Sequence, residues 1–330
     1  MDYGVAATAA AFPCVFAALY FLWAMAPPGA FLSFDAWKEA LLTARFAAPT
    51  SAGILFSMLA AAGLSATWLF RKARVLAIFD DLDTVLLMIP LKMLIVGMRW
   101  QLAVVVLVMA VLVWIAWRWL HAVRLPVSWP WVLAYGAGIA AVSEAIHQGS
   151  MLVDEVVPVH IEVLLPAFVL GCVLARPAGT DPHADDAREG HQEGPEAPAE
   201  QRVATAVSAA FMVLVGLSMP VIEPSEAGLG VLLAHTVALT VLINLGKMFP
   251  LLVYRDEAGW KERLALCIGM WPRGEVGAGV LVVCISYGIA GPMVAVATLS
   301  LALNLLLTGV FILWVKRLLR GAAAPDILHS

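Results

Sequence analysis

Charge is what this sequence is short of. Asp, Glu, Lys and Arg supply 13% of its 330 residues, about half the share of an ordinary soluble domain. Their sum is a mild −4, which leaves no basic footprint for a nucleic acid. Cysteine is scarce too. Cys14, Cys172, Cys267 and Cys284 sit at irregular spacing inside apolar runs, without the pairing a zinc site needs, and read as small buried hydrophobes. Also missing is a basic stretch ahead of the apolar residues 5–26, or a small-residue cleavage site behind them. That excludes a signal peptide and makes this run a membrane span. What the chain has in abundance is apolar surface, with 62% hydrophobic residues and a mean hydropathy of +0.90. The balance predicts an all-α, polytopic membrane protein embedded in a lipid bilayer.

Crossing roughly 30 Å of hydrocarbon takes about 20 apolar residues. Runs that meet or approach this length lie at about 5–27, 47–64, 75–98, 101–120, 131–150, 159–175, 203–222, 229–253, 264–288 and 291–315, which predicts about ten transmembrane helices. Cytoplasmic connections collect Lys and Arg. Arg71, Lys72, Arg74, Arg118, Arg124, Arg176, Arg188, Arg202, Arg255, Lys261, Arg263, Lys316, Arg317 and Arg320 fall in the even-numbered connections and after the last run. The odd-numbered connections hold only Lys38, Arg45 and Arg99. Fourteen against three places both termini in the cytoplasm. Residues 177–200, PAGTDPHADDAREGHQEGPEAPAE, are rich in Pro, Gly and acid. Such a segment cannot bury enough surface to fold and reads as a disordered cytoplasmic linker. His183, Asp185, Asp186 and His191 within it could chelate a metal, but a solvated acidic linker is the stronger reading. The domain plan is a first transmembrane repeat over 1–100, intervening helices over 101–176, the linker, a second repeat over 201–320 and a cytoplasmic tail at 321–330.

The functional signal lies in polar residues inside apolar runs, where a central charge costs about 2.5–3.5 kcal/mol on insertion scales. The third run carries Asp80, Asp81, Asp83 and Lys92, the eighth Asn244 and Lys247, and the ninth Arg273 and Glu275. Adjacent residues on a helix point about 100° apart, so Asp80 and Asp81 can face a helix partner and a water-filled cavity respectively. Asp83 shares the face of Asp80. For Asp83 the competing reading is an acid in the first turn of a helix that starts near residue 79. For Lys92 and Lys247 it is snorkelling to the membrane surface. Arg273 and Glu275 sit in a Pro-Gly-Gly context deep in a run, with no short route out.

Two runs are interrupted. AAPTSAGILF and GMWPRGEVGAGV place Pro and Gly at the start or middle of a span. Proline removes a backbone donor, and in lipid the freed carbonyls need protein, water or an ion. Interrupted helices at matching places in two halves point to a transporter's midplane site. If runs one to three mirror runs eight to ten, the interrupted helix is the middle member of each triplet. One triplet then starts inside and the other outside, so the predicted halves are inverted repeats with two crossing broken helices.

Four stretches resemble one family. LAIFDDLDTVLL looks like the paired-aspartate span of bacterial sodium/proton antiporters in the monovalent cation:proton antiporter superfamily. LGKMFP resembles the span carrying their membrane lysine, GMWPRGEVG is similar to the broken-helix motif of the Kef- and Nap-related branch, and AAPTSAGILF looks like the other crossover helix. Together they cover most of residues 46–316. The resemblance implies an antiporter exchanging Na⁺ or Li⁺, with K⁺ as the alternative, for protons. It implies that Asp81 is the principal cation ligand, that Asp80 pairs with Lys247, that Thr50 lies at the first crossover, and that Arg273 and Glu275 lie at the second. No cofactor and no enzymatic reaction are implied, and a homodimer is among the assemblies it allows. The chain departs from the pattern at Ala47 and Ala48, where the family carries a Thr and a small polar or acidic residue, which reduces Thr50 to a dipole-capping hydroxyl in one reading. A single span precedes the first broken helix, where the family has two or more further spans, so the chain reads as a minimal member or one shortened at its start.

Two adjacent buried carboxylates cannot both ionise cheaply, so they titrate as a unit. A dehydrated hard cation seeks the same oxygens as the proton, and that competition is the exchange mechanism. With two carboxylates and a lysine, the resemblance implies that more than one proton moves per cation. Three other functions compete. A Kef-type potassium/proton carrier would be favoured by a soluble nucleotide-binding tail, and only about ten residues follow the last basic cluster. A symporter of organic anions with the same fold would not need adjacent aspartates. A membrane enzyme could use His147, Asp154, Glu155, His160 and Glu162 as metal ligands, but their spacing fits no ligand motif.

Overall fold

The structure is a computed structural model that describes residues 2–61, 63–64, 67–96, 100–119, 122–126, 128–152, 163–174 and 228–320, with short pieces of 202–217. The predicted linker 177–200, the tail 321–330 and most of the run 203–222 lie outside the described residues, as do Asp154, Glu155, His160 and Glu162. Among the described residues there is no strand; an isolated bridge joins Val123 and Leu174.

In chain order the helices are α1 (Asp2–Tyr20), α2 (Phe34–Ala44), α3 (Ala52–Ala61), α4 (Trp68–Val96), α5 (Trp100–Arg118), α6 (Trp129–Met151) and α7 (Leu164–Val173). After them come α8 (Gly228–Gly246), α9 (Pro250–Val253), α10 (Trp260–Gly269), α11 (Glu275–Ser286) and α12 (Pro292–Arg320). Three stretches are long and apolar enough to cross a bilayer: Asp2–Met25, Gly228–Asp256 and Pro292–Arg320. Helix α4 is equally long at 29 residues but carries too many charges for that description. The protein is thus all-helical over the described residues, with long apolar helices of membrane type.

Two compact units form. One joins the described parts of Met1–Thr84 and Gln201–Ser330, and the other spans Val85–Glu200. The first unit therefore holds both interrupted helices, and its boundary falls within α4 at Thr84. In the second unit α5 and α6 both pack on α7.

Within the first unit, α1 packs on α8, and α8 and α10 pack on α12. Lipid tails are as apolar as leucine, so helices in a bilayer associate through close packing of small residues. Helix α1 buries Ala6, Ala9, Ala10, Pro13, Ala17 and Ala18 at the three-to-four residue spacing of one helical face. Against that face lies Gly246, where a Cβ would stand 2.7 Å from the Pro13 nitrogen. Only glycine lets the two backbones approach so closely. Leu55, Leu59, Leu69, Leu76, Leu266 and Phe311 complete the core between the interrupted helices, α4 and α12.

Polar contacts fix the helix ends. At one end, Lys72 near the start of α4 binds Asp2 at 2.9 Å and Glu257 at 2.8 Å, and its ammonium lies 4.7 Å from the centre of the Tyr254 ring. The starts of α1 and α4 and the α9–α10 connection therefore share one end. Tyr20 and His235 meet at 2.8 Å at the opposite end of α1 and near the start of α8, so these two helices are antiparallel.

The first interrupted helix begins earlier than expected. The sequence predicts a span from residue 47; the structure adds α2, capped by Ser33, whose hydroxyl accepts from the Ala36 N–H at 3.3 Å. A short 3-10 turn, Arg45–Ala47, ends this half, and α3 resumes at Ala52. Helix α2 is amphipathic and carries Asp35, Lys38 and Glu39, which is why an apolar-run criterion passes over it. The second interrupted helix is α10 and α11 with Met270–Gly274 between them, as GMWPRGEVG predicts.

Candidate ion-binding site

The site is built where the two interruptions meet. The Ser51 N–H donates to the Pro272 carbonyl at 2.9 Å, joining one break to the other. Gly277 in α11 lies against the first break so tightly that a Cβ would stand 2.8 Å from the Phe46 carbonyl oxygen. Each break is formed at a proline, Pro49 in the first and Pro272 in the second, where helical hydrogen bonding cannot continue.

Helix α4 delivers the acids. It begins at Trp68, where the Thr67 hydroxyl accepts from the Phe70 N–H at 3.2 Å. At 1.5 Å per residue, Asp80 lies roughly 18 Å along the helix axis. That depth rules out the helix-end reading of Asp83 as well. Asp80 and Asp83 are both buried, at 0% and 5% exposure. Helix α8 supplies Lys247 immediately after its last turn, where it is wholly buried.

Lys247 donates to Asp80 Oδ2 and, at 2.6 Å, to the Ala48 carbonyl in the first break. The snorkelling reading of Lys247 is thereby excluded. Thr50 donates to the same Asp80 oxygen at 2.8 Å and approaches the Met270 carbonyl at 3.2 Å. Thr50 is therefore a partner of the acidic group and not merely a dipole cap. A buried charge missing its partner would cost several kcal/mol, and here the sharing of Oδ2 by two donors compensates it.

Not all of the carboxylate oxygens are satisfied. Asp80 Oδ1 and Asp81 Oδ1 are buried without a hydrogen-bond partner. Asp81 lies within electrostatic reach of Asp80, Glu275 and Lys247. Oxygens of this kind, next to a helix interruption, are hard donors that a small cation or a proton would satisfy.

Arg273 and Glu275 are also brought to the breaks. Glu275 opens α11 and accepts a hydrogen bond from Ser51 at 3.0 Å. Arg273 is fully buried, and its Nε donates to the Ala47 carbonyl at 3.0 Å. Its other nitrogens donate to Asn244 Oδ1 at 2.6 Å, the Trp271 carbonyl at 2.9 Å and the Ile243 carbonyl at 3.1 Å. All six expected site residues, Thr50, Asp80, Asp81, Lys247, Arg273 and Glu275, thus fall in one region of one unit.

Several participants were not singled out by sequence. Arg45, expected in an outer connection, is 2% exposed, and its Nη2 donates to the Asp83 carbonyl at 2.7 Å. Asp83 also accepts from the Tyr3 hydroxyl at 3.3 Å. Ser51 and Asn304 complete the polar set together with Asn244, which the sequence already singles out in the eighth run. The available signal was position, since Arg45 and Ser51 flank Pro49 at the interruption. The side chain of Lys92 lies outside the described residues, and so does most of the outer polar cluster apart from His147. Among the described residues no group of three or more His, Cys, Asp or Glu is placed to hold a metal centre. The chain matches no protein-family model and no curated protein.

Proposed function

We propose that the protein is a secondary active antiporter that exchanges a monovalent cation, Na⁺ or Li⁺, for protons across a bacterial cytoplasmic membrane. One observation carries this reading: the buried Asp80–Lys247 pair sits at two joined helix interruptions, beside an Asp81 oxygen that nothing on the described chain satisfies. Asp81 is the principal ligand, and Asp80 contributes when its grip on Lys247 loosens. Thr50 orients the Asp80 carboxylate, while Glu275 adds negative charge from the second break. A cation or a proton neutralises Asp81, whose charge the Asp80–Lys247 pair leaves uncompensated, and only the neutralised site can change sides without a large desolvation cost. K⁺ is the alternative cargo.

The topology that goes with this function has ten spans, both termini in the cytoplasm and two inverted repeats. Its support is the repeated order of a leading helix, an interrupted helix and a long helix, in α1–α4 and again in α8–α12, with α1 antiparallel to α8. The grouping of Lys72, Asp2 and Glu257 at one end agrees with the basic-residue bias.

The test is a transport assay. Purified protein in proteoliposomes holding an imposed pH gradient should collapse that gradient when Na⁺ or Li⁺ is added. A gradient indifferent to Na⁺, Li⁺ and K⁺ alike overturns the reading.

A further inference from the structure

Arg273 lies in the second break and, among the described residues, makes no ion pair with a carboxylate. Among the described residues it is held by four oxygens: three carbonyls, of Ala47, Ile243 and Trp271, and the side-chain oxygen of Asn244. It nevertheless lies within electrostatic reach of Asp80. A guanidinium is always charged, carries donors in a planar fork and prefers carboxylates. Left to itself, Arg273 would turn toward the aspartates and behave as a tethered cation competing with the cargo.

The shortest of its four contacts, at 2.6 Å, runs to Asn244, and an amide can present either its oxygen or its nitrogen. The guanidinium can only donate, so the amide turns its oxygen to Arg273, and Asn304 anchors the amide nitrogen. Asn244 Nδ2 donates to Asn304 Oδ1 at 3.0 Å, and Asn304 Nδ2 donates to the Ser300 carbonyl in its own helix at 3.3 Å. The chain of donors runs one way, from Arg273 through Asn244 and Asn304 to a backbone oxygen that can only accept. Asn304 is 0% exposed and Asn244 6% exposed, so water does not substitute for either partner. One turn away Thr240 and Ser300 meet at 2.8 Å, fixing the same seam between α8 and α12.

We infer that Asn304 is a positioning residue for the cation site, because through Asn244 it keeps Arg273 on the helix ends and off the aspartates. This rests on the antiporter reading. Asn304 touches neither cargo nor carboxylate, and its effect passes entirely through the orientation of one amide.

Asn304→Leu keeps the volume and removes the hydrogen bond. In proteoliposomes it should raise the KM for Na⁺ by about tenfold, the scale of one hydrogen bond to a charged group, with kcat little changed. Adding Arg273→Gln should bring KM back toward the wild-type value, because the tethered competitor is gone. Asn304→Ser, a smaller disturbance of packing, should give the same direction of change if the leucine variant accumulates poorly. An unchanged KM in these variants, or a raised KM that Arg273→Gln leaves raised, overturns the inference while the antiporter reading stands. A wild type that exchanges none of Na⁺, Li⁺ or K⁺ overturns both.

Discussion

Lys247 has no exposed surface, so its ammonium is stable only while Asp80 stays charged opposite it. Removing one partner of such a pair strands the other, at a cost of about 3–5 kcal/mol. Lys247→Ala should therefore lower the melting temperature in detergent and reduce exchange. Combining it with Asp80→Asn should restore part of the stability, and a double-mutant cycle on melting temperature measures the coupling. Strictly additive effects would mean that the two side chains do not pair. Asp81 differs because its buried Oδ1 has no partner to lose. Asp81→Asn should leave the melting temperature within about 1 kcal/mol of wild type in equivalent stability, while dissipation of a proton gradient by Na⁺ disappears. Wild-type rates in that variant would place the cargo elsewhere. At this scale the sequence was informative because adjacent acids in an apolar run have few structural uses. Arg45 and Asp83 show the limit: the pattern put the first in a connection and left a helix-end reading open for the second, whereas both are buried.

The interrupted helices depend on glycine where backbone meets backbone. At Gly277 a methyl group would come within 2.8 Å of the Phe46 carbonyl oxygen, and neither chain can give way without opening the junction of the two breaks. Gly277→Ala should cost about 1–3 kcal/mol by overpacking and should weaken exchange more than Gly230→Ala, since a methyl group at Gly230 meets nothing within 4 Å. Equal effects at the two positions, in melting temperature and in exchange, would show that the junction tolerates movement. The second interrupted helix was legible because Pro272, Gly274 and Gly277 fall within an apolar run. Half of the first was not. Helix α2 has the composition of a surface helix, and its role as the leading half of an interrupted helix comes from burying Ala40, Leu42, Thr43 and Ala44 within the bundle.

Over the whole molecule, the basic-residue bias predicts that the acidic segment 177–200 faces the cytoplasm. A cysteine introduced at Glu193 should resist a membrane-impermeant thiol reagent added outside intact cells and react once the membrane is opened. Ready labelling from outside would reverse the orientation of every helix. Composition and the spacing of apolar runs determined the class of this protein, since scarce charge and long apolar stretches admit few solutions other than membrane helices. The positions of Asp80, Asp81, Lys247, Arg273 and Glu275 were likewise visible, because each is a costly polar group in an apolar run. Only the tertiary structure decided which of them touch. Residues 80, 247 and 50 are brought to one carboxylate oxygen by helices far apart in the chain. The pairing of Asn244 with Asn304 depends on the register between α8 and α12, which packing sets and no local pattern encodes.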